Sequence, residues 1–509
     1  MATLRLTTEQ VKPVESNCKI NVCLACPGSG KTTVLVARAE RLLHDTREPI
    51  FICTFSNDAA ASIFNKISLE ARVGIHVKTI HAFCFDLVKA HWKDLGEIVG
   101  SDEWPNEPKL ITREQELALI AELFPGKNTK DVQSNFEYMR SLASPPEQLL
   151  RLYKKQVYFN KLRQVDFEDF IFFEGQRISK GLITFDDMIG LAEVLIAVPQ
   201  VAVELSRKYS HILIDEAQDT SDQQWKVLRP LVMASVTSLV VGDYNQSIYG
   251  WRNADGSILM NMAQMREAVT FRLTKSFRTG TNISQLANRI CYDKSSQIVS
   301  EGHYDEADVM KFTTADEEVL WVLKNIDDTT AIISRTNSYL EKFERALIDS
   351  GTTYKGKSFY RAAHVKDVYK FLKGFQGTDV LPVIDKAYLN NNSYSKMEIE
   401  DFKLIRNIVA KEGLQKFYTL VETSRDLDDT GVTLTTGHAS KGLEWKRVVI
   451  VGCHTGHIPH RASNDDREER NLLYVMTSRA QEKLMITCIN EPSIYLPKEV
   501  RNGAKSPSV

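Results

Sequence analysis

Two series of short apolar runs punctuate the chain, with helix-periodic segments between them. The first series is KINVCLA (19–25), PIFICTF (49–55), HILIDEA (211–217) and TSLVVGD (237–243). The second is TTAIISR (329–335), VTLTTGH (432–438), RVVIVGC (447–453) and KLMITCI (483–489). Alternation of strand-length runs with helical periodicity is the signature of βαβ units. The predicted fold class is therefore α/β, with two parallel-sheet domains.

Two stretches break the rhythm. Residues 91–181 are rich in Leu, Glu, Lys and Phe at helical spacing and predict a mostly α insertion. Residues 375–430, which contain NNNSYSKMEIEDF, predict a second polar, helix-rich insertion. The closing RNGAKSPSV has the composition of a tail. With 509 residues, 43% of them hydrophobic, the chain has room for several domains with substantial cores.

Composition removes some function classes. The formal net charge is -2, so no global basic field draws the protein to nucleic acid or to an anionic membrane. Any polyanion has to be met by a local groove. No cationic stretch with a following apolar segment opens the chain, and no apolar run approaches ~18 residues. The expectation is an intracellular, soluble protein with no membrane partner. Of the eight cysteines, Cys18, Cys23 and Cys26 alone cluster. Cys23 lies in an apolar run and Cys26 in a glycine loop, with no matching Cys or His pair nearby. Buried thiols in a reducing compartment are expected there, in preference to a metal site or a disulfide.

The candidate chemistry begins where the first run ends, in LACPGSGKTT (24–33). Gly28, Ser29 and Gly30 leave the backbone bare enough for N–H groups to curl around phosphate oxygens. The helix that follows adds its N-terminal partial positive charge. Lys31 would reach the β- and γ-phosphates, and the Thr32 hydroxyl would hold Mg²⁺. The standard loop has glycine where this chain has Ala25. An ordinary glycine turn is the bland alternative, but strand, loop, Lys-Thr and helix all occur in order.

ILIDEAQDTS (212–221) ends an apolar strand in two adjacent carboxylates. At a strand's C-terminal end both can turn towards the crevice where α/β folds bind ligands. Asp215 would hold Mg²⁺, and Glu216 would polarise the attacking water.

Later stretches narrow the reading. VVGDYNQSIYGWRNAD (240–255), LTKSFRTG (273–280), GHASKGLEWKRVVIVG (437–452) and EERNLLYVMTSRAQEKL (468–484) follow in that order. Together they resemble the UvrD/Rep/PcrA family of superfamily-1 DNA helicases, across residues 10–489. The resemblance implies two RecA-like motor domains: residues 1–91 with 182–276, and residues 277–374 with 431–495. It places insertions at 92–181 and 375–430 and leaves 496–509 as a flexible tail. ITFDDM (183–188) matches the return from the first insertion, the segment carrying Arg335 matches the second motor domain, and GKSFYRAAHVKDV (356–368) leads into the second insertion.

Residue roles follow from the same resemblance. Gln10 would read adenine and Phe277 stack on it. Thr33 stands where relatives often have arginine, which loosens the expected adenine clamp. Gln246 would sense the γ-phosphate, Glu444 contact the ribose, and Arg278 and Arg479 act as arginine fingers. Phe55, His81, Tyr249, Trp251 and His438 match positions lining the single-strand path. Aromatic faces stack on any base at roughly 1–3 kcal/mol each, so such a path needs no strongly basic protein.

The implied activity is an ATP-dependent, DNA-stimulated helicase moving 3′ to 5′ on single-stranded DNA. ATP and Mg²⁺ would be its cofactors, and single/double-strand junctions and protein loading factors its partners. Repair and replication are the settings of such enzymes. The second insertion is much shorter than in the bacterial housekeeping members, where it contacts duplex. A second reading is therefore a translocase that displaces bound proteins and unwinds weakly. A non-motor binding module with a degenerate ATPase is opposed by the intact Lys31, Asp215, Glu216, Gln246, Arg278 and Arg479. RNA stays open as the track, because stacking does not read the 2′-position.

Overall fold

A computed structural model describes residues 6–99, 105–142, 167–294, 297–356, 358–375, 379–389, 396–426 and 430–506. Parts of both expected insertions and the last three residues of the expected tail lie outside these. The chain forms two compact units. One comprises Met1–Cys23, Thr32–Gly242 and Asn253–Phe271; the other comprises Leu24–Lys31, Asp243–Arg252 and Arg272–Val509.

The first unit is built on a six-stranded sheet. Its spatial order is Ile75–Thr79, Ile50–Thr54, His211–Ile214, Thr237–Gly242, Ile20–Ala25, Ala268–Leu273. Ile50–Thr54 pairs in parallel with both Ile75–Thr79 and His211–Ile214, and the latter with Thr237–Gly242. The four central strands are buried along their whole length, as their unbroken apolar runs require. Asn21 Nδ2 donates to Ser238 O at 2.7 Å and holds the starts of two central strands level. The strands' carboxyl ends therefore share one edge.

The helices that return the chain are started by side-chain caps. Thr79 accepts from the Ala82 N–H, and Ser221 with Gln224 forms a capping box. The described part of the first insertion has its own core, in which Phe136 stacks on Phe173 with centroids 4.8 Å apart. Beside it Arg140 pairs with Glu116 and Glu174, and Arg177 with Asp187, all largely withdrawn from water.

The second unit carries another six-stranded sheet. Its order is Glu306–Phe312, Ala480–Ile489, Trp445–Ile450, Thr330–Ser334, Val432–Thr436, Tyr354–Lys355, and every pair in it is parallel. The α/β class with parallel sheets is thus as expected. The described helices of the second insertion, Lys396–Glu412 and Leu414–Asp426, bury Phe402, Ile405, Phe417 and Leu420 against Phe359 and Tyr360. Arg345 pairs with Glu412 at 2.7 Å and His460 meets Glu400 at 3.3 Å, so polar contacts accompany that core. Near the chain's end, Lys505 extends the edge strand Glu306–Phe312 through backbone bonds to Val309 and Lys311.

None of the eight cysteines forms a disulfide, and only Cys18 is exposed. No metal-binding cluster of His, Cys, Asp and Glu is found among the described residues. No single helix among them is long and apolar enough to cross a membrane.

Candidate functional site

In the first unit, the two adjacent acids leave the end of His211–Ile214 in different ways. Asp215 continues the ladder, its N–H donating to Cys53 O at 2.8 Å, and its side chain is buried. Glu216 turns into the left-handed region at φ 51, ψ 43. That conformation is rare for a residue with a Cβ and costs about 1–2 kcal/mol. It sends the Glu216 side chain away from the strand's own alternation. The Glu216 N–H bonds Asp215 Oδ1 at 3.0 Å, and the fully buried Gln218 donates from Nε2 to Glu216 Oε2 at 2.6 Å. A Cβ on Gly242 would lie 2.5 Å from Gln218 Oε1, so the neighbouring strand end must be glycine for Gln218 to sit there. Burial, together with the Asp215 charge, pushes the Cys53 thiol up to about 12.

Thr32 and Thr33 stand in the first turn of the helix Lys31–Thr46, whose first turn holds no acidic residue. Gln10 closes the capping box of the helix Thr8–Glu15, its Oε1 accepting from Thr7 N–H at 3.0 Å. Phe55 directly follows the strand Ile50–Thr54, and His81 lies in the first turn of Ile80–Ala90. The His81 ring meets Phe185 edge-on at 6.0 Å, and the Phe185 ring is 58% exposed. Burial pulls the His81 pKa below its usual value, against the charge of Asp186. His81 therefore presents a neutral ring at physiological pH.

In the second unit, the segment Leu24–Lys31 carries the glycine loop expected to bind phosphate. Ala25 ends its strand fully buried, Gly28 and Gly30 take φ of 73° and 81°, and Ser29 Oγ closes the turn onto Cys26 O at 2.7 Å. Phe277 N–H donates to Gly28 O at 3.0 Å. A Cβ on Gly28 would stand 2.6 Å from Arg278 Cβ and 2.7 Å from Ser276 Oγ. Gly28 is thus required both for its backbone conformation and for the close approach of Phe277 and Arg278. The Phe277 ring is 51% exposed beside this loop. Arg278 Nε donates to Glu444 Oε2 at 2.5 Å, and Glu444 Oε1 accepts from Gln481 at 3.0 Å.

A second group forms around Gln246. Its Nε2 donates to Asp243 Oδ2 at 2.7 Å, and its carbonyl accepts from Lys441 Nζ at 2.5 Å. The same ammonium lies 5.1 Å from the Tyr249 ring, with Arg252 at 6.0 Å and the His438 ring at 6.5 Å. Burial lowers the His438 pKa to about 3, helped by the charges of Arg335 and Lys441. Arg335 is itself committed to Glu469 at 2.6 Å, and that pair is almost wholly buried. Trp251 has its backbone in the turn Gly250–Arg252; its side chain lies outside the described residues.

Arg479 is 1% exposed. Its guanidinium donates to Val475 O, Leu443 O and Ser478 Oγ. For Arg479 to meet a phosphate, these bonds would have to be exchanged.

The candidate residues therefore fall into an acid corner and an aromatic edge in one unit, and a glycine loop with two linked clusters in the other. Comparison with known proteins decides the family. The description "UvrD/REP helicase N-terminal domain" matches residues 6–267, and "UvrD-like helicase C-terminal domain" matches residues 385–491.

The chain belongs to the UvrD/REP helicase family.

Its enzyme class is that of an ATP-hydrolysing DNA helicase. Among its relatives, DNA helicase II of Escherichia coli (strain K12) is 24% identical over 93% of this chain and 82% of its own length. ATP-dependent DNA helicase PcrA of Leuconostoc citreum is 23% identical over 95% of this chain and 81% of its own. ATP-dependent DNA helicase Rep of Escherichia coli (strain K12) is 23% identical over 97% and 92%.

Three side chains of this UvrD/REP-family chain join the clusters without having been singled out in the sequence. Gln218 orients Glu216, Phe185 faces His81, and Lys441 ties Gln246 to Tyr249. Phe185 carried a visible signal, an aromatic directly after the cap Thr184 on a helix's exposed side. Lys441 lay within a quoted motif. Gln218 lay within the quoted ILIDEAQDTS as well, but a buried amide declares its role only through its partner.

Proposed function

We propose that this chain is an ATP-driven motor that moves 3′ to 5′ along single-stranded DNA and separates duplex at single/double-strand junctions. One observation carries the coupling: the Lys441 ammonium bonds the Gln246 carbonyl and lies against the Tyr249 ring. The residue that would sense a γ-phosphate and the ring that would stack on a base thus share one side chain. A shift of the Gln246 backbone on hydrolysis would move Lys441 and alter the face that Tyr249 offers the strand. The direction follows the family resemblance, and loading factors would be proteins that deliver the motor to junctions.

The residues fit ATP and Mg²⁺. Two positive-φ glycines leave the loop backbone bare as a cradle for phosphate, and no acid opposes an anion in the first turn of Lys31–Thr46. Lys31 and the loop N–H groups would hold the phosphates, while the Thr32 hydroxyl and the Asp215 carboxylate would hold Mg²⁺. The metal supplies charge neutralisation at the phosphoryl group. Glu216 would accept the proton of the attacking water, Arg278 would stabilise developing charge, and Phe277 would cover the base with Gln10 reading it. Arg278 has to leave Glu444 to do so, which makes that ion pair a resting position. Phe55, His81, Phe185, Tyr249, Trp251 and His438 would face the strand.

The compact second insertion favours one further reading, a translocase that strips bound proteins and unwinds weakly. Its helices share a core with Phe359 and Tyr360 and are pinned by Glu412 and Glu400. Forked duplexes with a 3′ or a 5′ single-stranded tail, with and without a protein block, separate the readings. Strand separation from the 3′-tailed fork alone supports the helicase. Displacement of the block without strand separation supports the second reading. ATP-dependent action on neither substrate refutes both.

A further inference from the structure

A cavity of about 560 Å³ opens on the second unit. It is lined by the end of the helix Thr281–Ile290, by Arg470 and by residues 494–501. Five cations face it, Arg289, Lys294, Arg470, Lys498 and Arg501, against a single carboxylate, Glu499. Such an excess is unexpected in a chain of net charge -2.

Structural work accounts for part of this charge. Lys294 Nζ donates to Asn288 O at 2.7 Å and Arg470 Nε to Ile290 O at 2.6 Å, so both cap the negative end of that helix. Arg289 pairs with Glu499 at 2.9 Å, but both side chains are more than half exposed, and such a pair contributes little to folding. Lys498 is exposed, and the Nε of Arg501 is buried without a hydrogen-bond partner. A buried donor left unpaired costs about 1–3 kcal/mol, a cost that a bound acceptor would remove. The aromatic in the lining, Tyr495, is itself buried and donates to Asp466 at 2.7 Å. The cavity thus offers charge and hydrogen-bond donors without a face on which a base could stack.

We propose that this cavity is a second DNA site, which holds backbone phosphates of double-stranded DNA. The proposal rests on the reading of the chain as a DNA motor. Charge without stacking suits duplex, whose bases are already stacked and whose axis carries one negative charge per about 1.7 Å. Single strands would be held by the aromatic residues instead. Lys498, Arg501 and Arg289 are the phosphate contacts, and Glu499 is a built-in competitor for Arg289.

The test is binding of a blunt duplex and of oligo(dT) by the full chain across a salt series. Each lost phosphate contact lowers the slope of log K against log salt by about 0.9. Lys498→Gln with Arg501→Gln should lower the duplex slope by about 1.8, which over a fourfold change of salt is roughly a 12-fold difference in affinity. Glu499→Gln should act oppositely, raising the duplex slope by about 0.9 as Arg289 is released. Oligo(dT) affinity and DNA-stimulated hydrolysis should stay unchanged in all variants. Because the two changes act in opposite directions, a folding defect cannot imitate the pair. Duplex binding that ignores both changes overturns this proposal and leaves the motor intact. Duplex binding lost equally to free phosphate at low concentration assigns the cavity to a small anion and also overturns it. A native chain that binds neither DNA refutes this proposal and the motor together.

Discussion

Replacing Gln218 by alanine removes a hydrogen bond to the Glu216 carboxylate from a neighbouring side chain. The bond is short, 2.6 Å, and its donor is fully buried behind the strand ends. Hydrogen bonds to a charged group contribute about 1.5–3 kcal/mol. If that energy serves to aim Glu216 at the attacking water, its loss appears in the barrier, and 1.4 kcal/mol is tenfold in rate. The expected fall in kcat is therefore roughly 10- to 150-fold. The phosphate loop is untouched, so the KM for ATP should change by less than about threefold, the mark of an interaction made in the transition state. The cavity left behind would also lower stability by about 1–3 kcal/mol, which urea unfolding reads separately. Gln218→Glu offers a sharper contrast, because it keeps the volume and replaces the donor with a repelling charge. Steady-state hydrolysis saturated with single-stranded DNA is the assay. A kcat within twofold of native in Gln218→Ala, with normal folding, would refute the assigned orienting role.

Three further outcomes follow from the geometry. Gly28→Ala combines a positive φ of 73° with contacts of 2.6 and 2.7 Å, and should cost about 2–5 kcal/mol together with most ATP affinity; unaltered nucleotide binding by calorimetry would contradict the cradle. Arg335→Met breaks a pair almost wholly withdrawn from water and should cost about 3–5 kcal/mol in urea unfolding, with part recovered in the double variant with Glu469→Gln; a single variant as stable as native would argue against it. Burial and Asp465 raise the Glu468 carboxyl from 4.5 to about 7, so the folded chain binds more protons between those values and this contribution is lost as pH rises through 7. Glu468→Gln should accordingly stabilise the protein by about 1–3 kcal/mol at pH 8.5 and leave it nearly unchanged at pH 4, read from unfolding midpoints.

The central strands were legible because both of their faces are buried, and residues 20–25, 50–54, 211–214 and 237–242 need unbroken apolar runs. Within the two six-stranded sheets, the strands that escaped are Ile75–Thr79, Ala268–Leu273, Glu306–Phe312 and Tyr354–Lys355, which are their four edges. An edge strand is half exposed, so IHVKT or EADVMKF carries polar residues and resembles a loop. The glycine loop and the adjacent acids were visible as motifs, since phosphate and metal chemistry restricts residue type at fixed spacing. What those motifs could not display was the state of each side chain. The guanidiniums of Arg278 and Arg479 read alike in sequence, yet one is paired to an exposed glutamate and the other is buried among backbone acceptors. The left-handed turn at Glu216 was equally hidden, because it arises from the way the chain leaves the sheet.

The central claim is that ATP hydrolysis and strand contact are linked through Lys441. Its most direct measurement is ATP hydrolysis by the native chain and by Lys441→Ala, each with and without single-stranded DNA. The account predicts strong stimulation by DNA in the native chain. In the variant, basal hydrolysis should persist and the stimulation should be largely lost. Equal stimulation in both proteins, or native hydrolysis indifferent to DNA, would contradict it.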